Sequence, residues 1–260
     1  MKAIAIISLS LLSCMAMAEV KTETVDYKQG DTPLEGYLAY DAAAAGKLPG
    51  VLIVPDWMGP GAFSNAKAEE LAKLGYVAFA VDIYGKDVRP KDQKEAGAQA
   101  GKYKGDRKLL RARILAALDV LKARPNVDTT KLAAIGFCFG GTTILELARA
   151  GAPISGVVSF HGGLDSPTPE DAKNIKTKVL VLHGADDPNV PPEQVAAFED
   201  EMRKGGVDWE LVKYSKAVHS FTNPAAGNDN SKGVAYNAEA DKRSWQAMKD
   251  FFGEIFTEKK

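Results

Sequence analysis

Apolar residues fall into short unbroken runs along this chain: Gly50 to Val54, Tyr76 to Val81, Leu132 to Ile135, Ile154 to Phe160 and Val179 to Leu182. Runs of this length without alternation suit strands of a parallel sheet covered on both faces. Between them lie stretches with helical spacing. Phe63 to Leu74 carries apolar residues at Phe63, Ala66, Leu71, Ala72 and Leu74, and Gly75 ends it. Asp106, as N-cap, opens a helix through Leu109, Leu110, Ile114, Leu118 and Leu121 that stops near Arg124, before Pro125. Pro192 to Lys204 and Ala238 to Phe256 predict two more helices, the last with Trp245, Met248, Phe251, Phe252 and Ile255 on its apolar side. Val20 to Tyr27 and Leu34 to Tyr40 read as an antiparallel hairpin, and Asp208 to Tyr214 as the last strand. Asp41 to Lys47 and Asp165 to Lys176 read as loops, and Asp87 to Lys104 as a short helix or loop over the C-terminal edge of the sheet. The alternation predicts a doubly wound α/β domain, a mostly parallel sheet with helices on both faces, and no linker divides residues 19 to 260.

The first eighteen residues read differently. Met1-Lys2 gives a charged start, Ala3 to Leu12 an apolar stretch, and Ala16-Met17-Ala18 the small-x-small pattern of a secretory signal cut after Ala18. That predicts a periplasmic or secreted protein. A rival reading makes Leu11-Leu12-Ser13-Cys14 a lipoprotein signal with lipid on Cys14, though leucine at the second position of that box fits it poorly. The apolar stretch is too short to span a bilayer, which needs about twenty residues. With 33 basic against 34 acidic side chains, the balance argues against nucleic acid or an anionic membrane surface as a partner.

Cysteine count then gains meaning. The chain has two, Cys14 and Cys138, so cleavage after Ala18 leaves a lone thiol and no internal disulfide. Cys138 sits in Gly136-Phe137-Cys138-Phe139-Gly140-Gly141, between an apolar run and the helix-compatible segment Ile144 to Ala150. Strand, sharp turn, helix is the setting of a nucleophile at a strained tip, where glycines two before and two after avoid collisions with neighbouring backbone. The bland alternative is a small buried hydrophobe.

A thiol at such a tip needs a base, and the base an orienting acid, from later loops at the same sheet edge. Of the three histidines, His161 and His183 end strands and are expected to pack beneath the site. His219 follows the last strand in an irregular loop, where the base belongs. Asp186 and Asp187 compete for the acid; the spacing Gly184-Ala185-Asp186-Asp187-Pro188-Asn189-Val190-Pro191 favours Asp187, with Asp186 capping the turn. Backbone N–H groups of Trp57 and Phe139 are the expected oxyanion donors.

The elbow, the aspartate turn and Ala217-Val218-His219-Ser220-Phe221 together resemble the dienelactone hydrolase family of α/β-hydrolases, over nearly the whole chain after residue 18. The resemblance implies a triad of Cys138, Asp187 and His219, a small-molecule ester or lactone substrate, an acyl-thioester intermediate, and neither cofactor nor metal. It also implies a thiol-modulating role for Asp56, which stands where the family has glutamate, one methylene longer. Dienelactone hydrolases proper hold a substrate carboxylate with two arginines; this chain has Asp82-Ile83-Tyr84-Gly85-Lys86 and His219-Ser220-Phe221-Thr222-Asn223 at those places. Lys86 can supply one charge there but no bidentate fork. Tyr84, Lys86 and Phe221 are the expected pocket residues, with Trp57 beside them, and a monomer or dimer is expected. Competing readings are a catalytically silent scaffold acting as a cell-envelope binding protein, and thiol redox chemistry, for which no resolving cysteine remains.

Overall fold

A computed structural model describes residues 18–257. The stretch read as an export signal, with Cys14, lies outside the described residues apart from Ala18.

The apolar runs become one eight-stranded sheet: β1 (Val20–Gln29), β2 (Thr32–Asp41), β3 (Leu48–Val54), β4 (Val77–Ala80), β5 (Val127–Phe137), β6 (Gly156–Phe160), β7 (Lys178–Gly184) and β8 (Trp209–Tyr214). Their spatial order is β1-β2-β4-β3-β5-β6-β7-β8. β1 pairs antiparallel with β2, and β2 antiparallel with β4; every later pairing is parallel.

Why the central runs do not alternate is visible in β3. Val51 and Ile53 point to the face covered by α1 (Ala62–Lys73) and α6 (Ala238–Thr257), where they join Leu71, Met248 and Phe252. Leu52 and Val54 point to the other face, covered by α2 (Gln93–Gly105), α3 (Arg107–Lys122), α4 (Phe139–Arg149) and α5 (Pro192–Gly205), where Leu110, Ile114, Ile144 and Phe198 meet them. A strand buried on both sides has no solvent face to mark with polar residues.

Three boundaries differ from the sequence reading. Asp87 to Lys104 holds a full helix, α2, capped by Asp92, whose side chain accepts the N–H of Glu95. Strand β5 starts at Val127, ahead of the apolar run, because its first residues pair with Leu48 and Pro49 before a register shift. Helix α4 begins at Phe139, immediately after the thiol, while Gly140, Gly141, Thr142 and Thr143 disguise its first turn with poor helix formers. The stretch Asp165 to Lys176 is a loop with a 3-10 turn at Pro169–Asn174.

A buried ionic cluster ties α4 to its neighbours. Arg149, 1% exposed, donates from Nε and Nη2 to both carboxylate oxygens of Glu201 on α5 at 2.7 and 2.8 Å, and from Nη1 to Glu146 at 3.0 Å. Glu146 also accepts Arg111 Nε of α3 at 2.8 Å. Removing one member of such a cluster strands a desolvated charge, which costs more than the intact pair contributes. Arg149→Met should therefore lower unfolding free energy by about 3–5 kcal/mol, read as a lower urea midpoint with an unchanged m-value.

Candidate active site

Parallel pairing brings the C-terminal ends of β3, β5, β7 and β8 to one edge, and each supplies part of the site. Cys138 links β5 to α4 with φ 54° and ψ −115°, a left-sided backbone uncommon for any residue but glycine. Its N–H is held by Phe160 O of β6 at 3.0 Å. A Cβ on Gly136 would fall on the carbonyl of Gly140, and a Cβ on Gly140 on the carbonyl of Val54 in β3. The glycine spacing thus lets strand β5, helix α4 and strand β3 converge behind the thiol.

The base loop is fixed by its backbone. His219 donates its N–H to Gly233 O at 3.2 Å and accepts from Ala235 N at 3.1 Å, a short parallel bridge to the segment before α6. Its Nε2 lies 3.0 Å from Cys138 Sγ and its Nδ1 2.8 Å from Asp187 Oδ2. Asp187, buried at the end of β7, takes the Asn189 N–H on its other oxygen at 2.8 Å. Asp186, its rival for that place, is exposed. Burial of the His219 ring works against a charged imidazole, but hydrogen bonds to Asp187 and Cys138 and their negative charge outweigh it, raising its pKa to about 10. The arrangement can move a proton from sulfur to imidazole and hold it there.

Trp57, from the β3 side, and Phe139, from the α4 side, line the cavity over the sulfur, and among the described residues neither N–H donates to another group. Asp56 turns inward on its own loop instead: Oδ1 accepts Met58 N–H at 2.9 Å and its carbonyl accepts Gly59 N–H at 3.0 Å. Burial pushes its carboxyl up, opposed by the Met58 N–H and the nearby charge of His219. Its hydrogen bonds make it the cap of its own turn, and it feels the charge of His219 through space.

A cavity of about 430 Å³ opens over the sulfur, walled by Trp57, Phe139, Val190 and Val234 and by one face of α2. That face is Gly97, Ala100, Gly101 and Lys104, spaced i, i+3, i+4 and i+7. Lys104 brings the cavity its cation. Its partner, Asp165 at 3.5 Å, is already bound by Arg107 at 2.6 Å. Sequence reasoning missed Lys104 because α2 was an open choice between helix and loop; the helical spacing of small residues ending in a lysine was the available signal.

Three expected pocket residues stand elsewhere. Lys86 is drawn to the β1–β2 hairpin, where Asp26 and Glu35 take its ammonium at 2.7 and 3.2 Å. Phe221 is fully buried, packed edge-on against His161 and Tyr214, because the His219 loop turns inward after Ser220. Tyr84 supports the wall from behind: its hydroxyl donates to Trp57 O at 2.9 Å, and its ring packs on Phe139 and Tyr103. His161 and His183 lie buried beneath the site, as their strand-end positions predicted. Among the described residues, no group of three or more His, Cys, Asp or Glu side chains is placed to hold a metal ion, and no helix is long and apolar enough to cross a membrane.

Comparison with known proteins agrees with this architecture. Residues 34–256 match the dienelactone hydrolase family. A solved protein named m3DLH superposes with a TM-score of 0.88 at 44% identity, covering 91% of this chain and 98% of its own. A dienelactone hydrolase-like promiscuous phosphotriesterase from metagenomic libraries gives a TM-score of 0.86 at 44% identity, with the same coverage of 91% and 98%. A curated protein of Bradyrhizobium sp., 32% identical over 77% of this chain and 86% of its own length, is named as a probable 2-oxo-3-(5-oxofuran-2-ylidene)propanoate lactonase. With most of its length matched, the chain belongs to the dienelactone hydrolase family and is a hydrolase of the α/β fold.

Proposed function

We propose that this protein is an exported hydrolase of carboxylic esters or lactones that works through Cys138, His219 and Asp187. The observation that carries the reading is the unbroken line Sγ···Nε2 at 3.0 Å and Nδ1···Oδ2 at 2.8 Å, set at the tip of a strained elbow under an open cavity. Export rests on the pattern of Met1 to Ala18.

At rest the proton of the Sγ···Nε2 pair sits on His219, whose raised pKa keeps it there, and in the first half-reaction the thiolate sulfur attacks the ester carbonyl. Negative charge collects on the carbonyl oxygen, opposite the N–H groups of Trp57 and Phe139. Collapse of that adduct breaks the C–O bond; the imidazolium returns its proton to the leaving alkoxide, and an acyl-thioester remains on Cys138. In the second half a water gives its proton to His219 and its oxygen to the acyl carbon, the C–S bond breaks, and acid and free thiol are released. Asp187 holds the Nδ1–H tautomer and steadies the imidazolium without taking the proton. Lys104 at the α2 wall favours substrates whose far end carries a negative charge, and the neighbouring glycines leave room for bulk.

A second activity is favoured by the 44% identity to the promiscuous phosphotriesterase. Attack of the same thiolate on a phosphotriester would expel an alkoxide or phenolate and leave a phosphorylated Cys138 for water to hydrolyse.

Purified protein should hydrolyse 4-nitrophenyl butyrate, and Cys138→Ala should lower kcat by about 10⁴-fold or more. No turnover of any ester, lactone or paraoxon in a panel would leave the silent scaffold as the better reading. Lys104→Ala should lower kcat/KM for mono-4-nitrophenyl succinate about tenfold while leaving the neutral butyrate ester nearly unchanged, since a hydrogen bond to a charged group is worth about 1.5–3 kcal/mol. The raised value of His219 sets a pH dependence of stability. The folded state binds the imidazole proton more tightly than the unfolded chain, so the contribution is fully present below the ordinary value of 6.5 and disappears as pH rises through about 10. The stability difference between wild type and His219→Gln, read by urea unfolding at several pH values, should shrink steadily from pH 6.5 to 10.

A further inference from the structure

We infer that His161 is a positioning residue for the catalytic base, gripping the His219 loop with one buried imidazole. The inference rests on the His219–Cys138 pair of the proposed mechanism.

His161 follows directly after β6 and adopts φ 41°. Only four non-glycine residues among those described have positive φ, and two others, Cys138 and Ser220, belong to the elbow and the base loop. Gly162 and Gly163 follow it, so the chain has glycine next door, yet it places a β-carbon at this strained position. What the side chain gains is specific. Its Nε2 lies 2.8 Å from the hydroxyl of Thr222, three residues beyond the base. Its ring stands 5.3 Å from the His219 ring, tilted at 66°, edge to face. One imidazole therefore touches both ends of the turn from His219 to Thr222, in which Ser220 has φ 59°.

The surroundings explain why the ring serves without charge. Phe137 of β5 and Phe221 of the base loop enclose it at 6.1 and 5.1 Å, and His219 is the titratable group in ring contact with it. Its residue is 2% exposed. Burial, and then the charge on His219, hold its pKa well below the ordinary histidine value, so the neighbour of the imidazolium adds no repulsion at working pH. His183 offers no such grip: among the described residues its ring makes no contact with that of His219, and in both buried histidines Nδ1 has no partner, so Nε2 of His161 is what distinguishes it.

A positioning role predicts that loosening the grip misaligns Nε2 and sulfur without unfolding the protein. The readout is the rate of Cys138 alkylation by iodoacetamide from pH 5 to 10, followed on the Cys138 peptide by mass spectrometry, which needs no substrate. Wild type should react faster than His219→Gln at pH 6. His161→Phe, which keeps a ring but loses the hydroxyl partner, and Thr222→Val should each react about tenfold more slowly than wild type at pH 6. Thr222→Ser should restore the wild-type profile. Ester kcat should fall in parallel with KM little changed, and the thermal midpoints should stay close to wild type. Wild-type profiles for His161→Phe and Thr222→Val would overturn the inference and leave His161 a packing residue. If His161→Phe does not fold, the nearly isosteric Thr222→Val decides alone. A wild-type profile for His219→Gln would instead overturn the triad reading, and this inference with it.

Discussion

The backbone at Cys138 is the constraint from which the site follows. To pass from β5 into α4 within one residue, the chain adopts φ 54° there, and it can do so only if the flanking turns come within backbone contact of β3 and of each other. Gly136 and Gly140 allow that approach, and the Phe160 carbonyl anchors the tip from β6. The result fixes the height and direction of the sulfur relative to the sheet edge. It also places the N-terminus of α4 immediately after the sulfur, where the helix terminus adds its own partial positive charge. Everything else must come to the thiol. The acid arrives on the turn after β7 and the base on the loop after β8, because only loops leaving the same edge can reach.

Electrostatics then decide which groups cooperate. Burial alone would keep His219 neutral, yet two well-aligned hydrogen bonds prevail, and its affinity for a proton rises above that of a free imidazole. Asp56 shows the opposite outcome of similar burial. Its side chain, one methylene shorter than the glutamate of the family pattern, closes on the Met58 N–H, and burial raises its pKa and disfavours its charge. The thiol is left with the imidazole as its hydrogen-bond partner. A carboxylate near a nucleophile can compete with the base for the thiol; here its hydrogen bonds make it a cap for the loop after β3.

Much of this was legible in the sequence for identifiable reasons. Unbroken apolar runs report strands buried on two faces, and β3 shows them dividing residue by residue between two cores. The elbow glycines, the aspartate turn and the late histidine report backbone and chemistry together, so Cys138, Asp187 and His219 converge where their order places them. What failed was reasoning by position along the chain about side chains whose direction depends on neighbours. Lys86 follows the right strand but two acids of the β1–β2 hairpin capture it. Phe221 sits two residues from the base, yet the positive φ of Ser220 turns it into the core. Lys104 is distant in sequence from every motif, and only the helical phase of α2 brings it to the cavity.

The relocation of positive charge bears on selectivity. A cation after β4 would approach the substrate from the hairpin side of the cavity, but in this chain that charge is neutralised by the hairpin itself. Lys104 approaches from α2, and its partner Asp165 is shared with the closer Arg107, so the ammonium retains hydrogen-bonding capacity toward the cavity. Along the same face, a Cβ on Gly101 would meet nothing within 4 Å, whereas one on Gly97 would sit 3.7 Å from the Trp57 ring. The helix therefore supplies both an open wall and a charge at its far end. A lysine also differs from an arginine pair in kind: a compact, rotatable ammonium attracts an anion without fixing its plane. The open α2 wall and the ammonium at its end therefore place room and one rotatable positive charge on the same side of the cavity, in place of a fixed guanidinium fork.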